Sequence, residues 1–266
     1  MAFEATYFSF DGVPCQKYGL MLLGFGGEGQ DDVAFSGRTK IIEDRRWNSY
    51  APLHYGTEYG DPLSFKLTIG LTPDELDAGR ALDRWDMQAI TGWLTGHTQY
   101  KYLEIDQPDL RGVRFKCIIT ELKPLSHGYN FALEATVTCD SPFAYKVPEV
   151  FTLASGANTV YNPSTVNDWY FPVVSVAMTD GAGFTLTNAQ DSGAACGLTS
   201  TPSFATGAFN MDGLRQRIWQ TGNLSANLYQ FDRGNFLRLK RGNNIITMTG
   251  NGTASLTCEF PVQVGG

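Results

Sequence analysis

Residues 131–139 read FALEATVTC, and they decide the fold. Phe131, Leu133, Ala135, Val137 and Cys139 alternate with Ala132, Glu134, Thr136 and Thr138, the two-residue period of a strand with one buried and one wet face. Such half-wet alternation marks antiparallel sheets, because the strands of a doubly wound parallel sheet are covered on both faces and read as continuous apolar runs. The same period recurs in FKLTI (Phe65, Leu67, Ile69), VRFKCII (Val113, Phe115, Cys117, Ile119), FTL (Phe184, Leu186) and LTCEF (Leu256, Cys258, Phe260). The chain is expected to be mainly β.

Residues 18–30, YGLMLLGFGGEGQ, test that conclusion. An apolar run, Leu20 to Leu23, leads into Gly24-x-Gly26-x-x-Gly29, with Glu43 and Asp44 near the distance of a ribose partner. That is the spacing of a dinucleotide fingerprint. The fingerprint requires a helix directly after the glycines, its free amides aimed at phosphate. The chain instead continues as GQDDVAFSGRTK: Asp31 and Asp32 would set negative charge against a pyrophosphate, Gly37 interrupts, and no 3.6-residue stripe appears. The segment reads as a glycine loop leaving a strand, and no cofactor is expected.

One segment reads as helix, LTPDELDAGRALDRWDMQAITGWL at 71–94. Thr72 suits the N-cap, Pro73 the first helical position, and Glu75 completes a T-x-x-E capping box beside Asp74. Leu82, Trp85, Ala89 and Trp93 fall on one apolar stripe that would pack on a sheet.

At 266 residues the chain allows one large domain or two ordinary ones. Its charge decides between them. Residues 1–147 hold 14 of the 20 basic and 20 of the 27 acidic side chains, leaving 6 and 7 to residues 148–266. The second part is rich in Thr, Asn, Ser and Gly, with short alternating runs between turn signals such as TDGAG, NMDGL and DRGN, the pattern of an all-β sandwich. The boundary is placed at KVPEV, giving domains 1–147 and 148–266. No internal repeat, heptad or low-complexity tract is visible.

Net charge of −7 and the lack of a clustered basic face argue against nucleic-acid binding. The longest apolar stretch is far short of the roughly 20 residues that span a bilayer, and MAFEATYFSF lacks the basic n-region of a secretory signal. Neither membrane insertion nor export is expected. Cys15, Cys117, Cys139, Cys196 and Cys258 are widely spaced without a C-x-x-C pair, so they read as free thiols, most of them small core residues. His54, His97 and His127 share no metal-ligand spacing and read as surface loop residues. No catalytic motif is present, so no catalytic or metal site is assigned. Trp169, Tyr170, Trp219 and Tyr229 could stack on sugar rings or fill a sandwich core. The sequons at Asn223 and Asn251 would matter only in a secreted chain. The stretch RRWNSYAPLHYGTEYGDPL differs from all of these: Trp47, Tyr50, Tyr55 and Tyr59 stand among Gly and Pro with weak periodicity. They suit an extended arm or hairpin at a subunit interface, or burial under the helix.

Taken in order, YFSFDGVPCQKYGL near the start, PLSFKLTI before a helix ending in ITGWLTG, CDSPFAYK at 139–146 and LKRGNNIITMTG at 239–250 resemble the distal tail proteins of long-tailed bacteriophages. The resemblance implies an N-terminal β-sandwich with one α-helix, closing into a homo-hexameric ring, and a C-terminal galectin-like β-sandwich at its periphery. The ring would sit at the tail tip of the virion, meeting the tail tube protein, the tape-measure protein C-terminus and tail-associated hub or fibre proteins. Assembly would take place in the bacterial host cytoplasm, without catalysis. Two other classes stay open: a carbohydrate-binding, lectin-like β-sandwich module aiding host adhesion, and an enzyme.

Overall fold

The computed structural model describes residues 6–25, 38–44, 50, 53–126, 130–179, 182–200, 207–221 and 235–264. The backbone packs as two units, Met1–Tyr145 with Val262–Gly266, and Lys146–Pro261.

In the first unit, β1 (Phe8–Phe10), β2 (Val13–Pro14), β3 (Leu20–Phe25), β6 (Ser64–Leu71), β7 (Lys101–Ile105), β8 (Val113–Ser126) and β9 (Asn130–Cys139) form one antiparallel sheet in the order β2-β1-β7-β8-β9-β6-β3. Two short strands, β10 (Ala144–Lys146) and β20 (Pro261–Val262), pair with each other at its margin. The FALEATVTC strand lies between β8 and β6. Register sets Val137 beside Phe65 and Ile119, and Cys139 beside Cys117, so the alternating apolar residues of three strands meet in one buried layer. A D-G turn closes β1 on β2 with Asp11 and Gly12 at φ 51° and 74°, the left-handed pair that a two-residue hairpin requires.

The expected helix is two helices. α1 (Pro73–Asp77) ends before Gly79 at φ 73°, and α2 (Arg84–Thr95) starts afresh from Asp83. Asp83 caps α2 in a reciprocal box with Asp86, accepting from the Trp85 and Asp86 amides at 2.7 and 2.8 Å. Thr72 does hold the N-cap position of α1, but its side chain makes no cap bond. Glu75 turns to Arg80 instead, and Arg80 bridges Glu75 at 3.2 Å and Asp86 at 2.9 Å, tying the two helices. This pair lies over Gly19, where a Cβ would fall 2.7 Å from Arg80 Nη1. The apolar stripe is also shifted. Ile90, Trp93 and Leu94 are buried and Met87 packs beside them, whereas Ala89 is exposed and Trp85 is 76% exposed. Trp93 stacks on Tyr18 and Phe8 with ring centroids at 4.8 and 5.8 Å, and its indole N–H donates to the Phe10 carbonyl at 3.1 Å.

The second unit is a sandwich. One sheet orders β11 (Glu149–Leu153), β19 (Gly252–Cys258), β13 (Val173–Met178), β16 (Gly207–Asp212) and β17 (Arg217–Gln220) as β11-β19-β13-β16-β17. The other orders β12 (Gly156–Asn162), β18 (Gly242–Thr249), β14 (Ala182–Asn188) and β15 (Ala195–Ser200) as β12-β18-β14-β15. Val174, Val176, Phe209 and Leu256 of the first meet Val160, Phe184, Leu186 and Ile246 of the second in one core.

A repeat does exist here, contrary to the sequence reading: Leu153-x-x-Gly156-x-Asn158-x-Val160 and Leu239-x-x-Gly242-x-Asn244-x-Ile246. In each, the glycine takes a positive φ, 99° and 90°. The asparagine then braces the turn. Asn158 Oδ1 accepts from the Ala154 amide at 3.0 Å while Nδ2 donates to the Ala154 and Gly156 carbonyls at 2.7 and 3.0 Å. Asn244 repeats this with Lys240 N at 2.9 Å, Lys240 O at 2.8 Å and Gly242 O at 3.0 Å. Leu153, Val160, Leu239 and Ile246 are buried, and the two strands that leave these turns, β12 and β18, are neighbours. The LKRGNNII motif is thus a side-chain-locked entry into a core strand.

Candidate functional site

Between β3 and β6 the chain forms a separate ribbon, β4 (Arg38–Asp44) paired, among the described residues, only with β5 (Leu53–Tyr59). The register breaks near Arg38 and again at Ile42/Glu43, opposite Gly56 at φ 133°. Ile41 and Ile42 are adjacent in the strand and therefore point to opposite sides, yet both are exposed, as are Leu53 and Tyr55. A two-stranded ribbon is marginal alone in water, and this one holds apolar side chains on both faces that its own unit leaves uncovered.

The four arm residues predicted from sequence separate here. Tyr50 is fully exposed and Tyr55 is 62% exposed. Tyr59 is half-buried, packed edge-on against Phe143 at 5.0 Å, and so fixes the base of the ribbon. Trp47 lies outside the described residues. Sequence reasoning passed over Ile41, Ile42 and Leu53; the signal was an Ile-Ile pair between charges in KIIED, apolar but out of phase with any single buried face. It also assigned Trp85 to the core, where it is an exposed indole on α2.

The other candidates disperse. The glycine motif is described only to Phe25, and Gly24 sits within β3 at a register irregularity opposite Thr68. His54 is in β5 and exposed, His127 lies outside the described residues, and His97 follows α2, where its Nε2–H donates to the Trp93 carbonyl at 2.9 Å. All five cysteines are free and buried. Burial pushes the Cys139 and Cys258 thiols up to about 12 and Cys196 to about 11, with nearby Asp140 and Glu149 adding to the first two. Cys15 and Cys117 are raised by burial as well. Thiols held so far from thiolate are poor nucleophiles. No cluster of metal-ligating side chains occurs among the described residues, and none of their helices is long and apolar enough to cross a membrane.

Of the aromatics in the second unit, Tyr170 is partly buried against the core, its hydroxyl accepting from the Glu259 amide at 2.7 Å. Trp169 lies under two cations, the Arg238 guanidinium at 4.2 Å and Lys240 Nζ at 5.0 Å from its ring centroid, and Asp191 grips Arg238 through two 2.7 Å bonds. Trp219 stands at the edge strand β17 on the outer face of its sheet. Tyr229 and Asn223 lie outside the described residues, and Asn251 forms a turn whose carbonyl accepts from Thr179 N and Oγ1, each at 3.1 Å.

Comparison with curated protein sequences returns no match. Among solved structures, the chain resembles the crystal structure of the SPP1 Dit protein (gp 19.1), described as a paradigm of the hub adsorption apparatus in phages that infect Gram-positive bacteria. The TM-score is 0.65 at 12% identity, covering 97% of this chain and 100% of that one. The two share a fold. A family model described as a phage tail protein N-terminal domain matches residues 3–141, the first unit with its ribbon and helices. Since that match takes in more than half of the sequence, the chain belongs to the phage tail protein family that this N-terminal domain defines.

Proposed function

We propose that this chain is a structural part of the phage tail tip or baseplate, six copies closing into a ring-shaped hub. The hub joins the tail tube protein and the tape-measure protein C-terminus to tail-associated hub or fibre proteins. The observation that carries this reading is the β4–β5 ribbon, apolar on both faces and paired with no other described strand. A closed ring needs heterologous contacts, one surface of each subunit on a different surface of the next, and a projecting ribbon supplies one. Tyr50, Tyr55, Ile41 and Leu53 face the neighbouring subunit, with Trp47 on the same arm, while Tyr59 anchors the ribbon to its own unit. The fold shared with the SPP1 hub protein supports the same role here. Such a role asks for contact surface and no turnover, and assembly in the host cytoplasm fits five free thiols.

Electron microscopy and light scattering of the full chain test this. A sixfold ring is expected, and Ile41→Asp with Tyr55→Asp should shift it to monomer while the melting temperature stays within about 2 °C. A chain monomeric at every concentration, or a ring indifferent to both substitutions, overturns the reading.

A further inference from the structure

Strand register places five side chains in a straight line across the outer face of the second unit's larger sheet. Thr152 pairs with Ser255, Ser255 with Ser175, Ser175 with Asn210, and Asn210 with Trp219. The line crosses all five strands, and at about 4.8 Å per strand it runs roughly 19 Å. Its polar groups are already oriented. Ser175 Oγ–H donates to Asn210 Oδ1 at 2.6 Å, and Asn210 Nδ2 donates to Thr221 Oγ1 at 3.1 Å. The amide is locked in its plane, which leaves its second N–H and the Ser175 and Thr221 oxygen lone pairs to outside partners. Beside the line, register sets Thr253, Ala177 and Ala208 abreast, small side chains that leave the surface low next to the indole.

The charge of this face is what selects an occupant. On the row to the other side, the exposed Val150, then Thr257 and Val173, lead to Asp212 and Arg217. Asp212 is buried and paired with Arg215 at 2.6 Å, so the exposed charge on these rows is Arg217, at the rim and 5.6 Å from the Trp219 ring centroid. A water-facing sheet ordinarily carries Lys and Glu there; this one offers hydroxyls, an amide and an indole. Hydroxyl and amide groups in a fixed line complement the hydroxyls of a polyol, and an indole complements the apolar C–H face of a pyranose ring. A protein partner would find Val150 and Trp219 as the exposed or half-exposed large apolar anchors at opposite ends of these rows, with small or polar side chains between them.

We propose that this row is a saccharide-binding site for uncharged hexopyranose chains, with Trp219 stacking one ring and Ser175, Asn210 and Thr221 holding hydroxyls of the next. Trp169 lies on none of the five strands of this sheet and is not part of it. The site goes beyond the hub role and stands or falls separately from ring formation.

The full chain is applied to an array of immobilised neutral hexose and N-acetylhexosamine oligosaccharides beside carboxylated and sulfated ones, and the strongest neutral binder is then titrated calorimetrically. Neutral sugars should bind, Trp219→Ala and Asn210→Ala should each weaken binding by roughly tenfold or more, and Trp219→Tyr should keep most of it. Trp169→Ala should leave it unchanged. Melting curves check each variant, and Ser175→Ala, which removes one hydroxyl, serves if Trp219→Ala unfolds. The proposal is overturned by a bare neutral array, by binding confined to charged sugars, or by binding that Trp219→Ala and Asn210→Ala leave intact. Loss of self-association in Trp219→Ala without any sugar binding would assign the face to a second copy instead.

Discussion

Replacing Trp93 with alanine should cost the first unit more than any other single truncation in α2. Its indole is buried between Phe8 and Tyr18 and ties the helix to β1 through the Phe10 carbonyl. Truncating a buried tryptophan costs about 3 to 5 kcal/mol through lost transfer and the cavity left behind. The orphaned carbonyl adds about 1 kcal/mol. For a unit near 150 residues, each kcal/mol lowers the melting temperature by roughly 2 to 4 °C, so a drop of about 8 to 24 °C is expected. Trp93→Phe separates the terms, because it keeps an aromatic ring in the stack and loses only the N–H donor and part of the volume; about 1 to 2 kcal/mol should go. Urea unfolding is the assay, followed by circular dichroism and by fluorescence, since two units can unfold in two steps. A loss below about 1 kcal/mol for Trp93→Ala would mean that α2 does not dock through this residue, and the account of the first core would be wrong.

Other substitutions probe the rest. Asn244→Ala removes four hydrogen bonds at a fully buried position and should lower stability by about 2 to 4 kcal/mol; the more exposed Asn158→Ala should cost about 1, both read from thermal melts of the second unit's transition. Asp83→Ala should cost about 1 kcal/mol by breaking the α2 capping box, visible as reduced helical signal on mild heating. Stability should also fall with alkaline pH. The thiols are raised above 9.0 in the folded chain, so their contribution is complete below pH 9 and is lost as pH climbs toward about 12. Denaturation at pH 8 to 10.5 should show that decline, and Cys139→Ala with Cys258→Ala should flatten it.

How much of this was legible beforehand varies with the range of the signal. The strands through Leu133, Leu67 and Phe115 were plain, because a single buried face imposes a two-residue period that any short window reveals. The helical segment was located but misdivided. Its capping box at Thr72 and its internal box at Asp83 are both acceptable starts locally, and what decides between one helix and two is Gly79 together with Arg80 reaching across to Asp86. The stripe through Trp85 fitted a helix continuous from Thr72; once the helix restarts at Arg84, the sheet-facing side passes through Met87, Ile90 and Leu94. The repeated Asn-braced turn was missed for another reason. Only four positions in eight are constrained, and the intervening residues, Ala-Ser against Lys-Arg, differ in everything that composition measures.

The surfaces proposed for assembly and for sugar were legible only in part: the aromatics Tyr50, Tyr55 and Trp219 stood out in the sequence, but the residues around them did not, and the reason is physical. A ribbon that becomes covered only by another molecule has no dry side within its own chain, so Ile41, Ile42 and Leu53 carry no period and resemble a poorly patterned loop. The sugar row fails differently. Its members come from positions 152, 175, 210, 219 and 255, each an ordinary polar or aromatic residue on the wet face of its own strand. Nothing in any one strand distinguishes Ser175 from a solvated serine. Only the pairing of five antiparallel strands, each fixed by which neighbour's apolar side it must match, sets those groups in line. The buried face therefore determines the register, and the register in turn composes the exposed face. The core pattern that fixes the fold also fixes the outer row, which becomes legible only when the strand order is known.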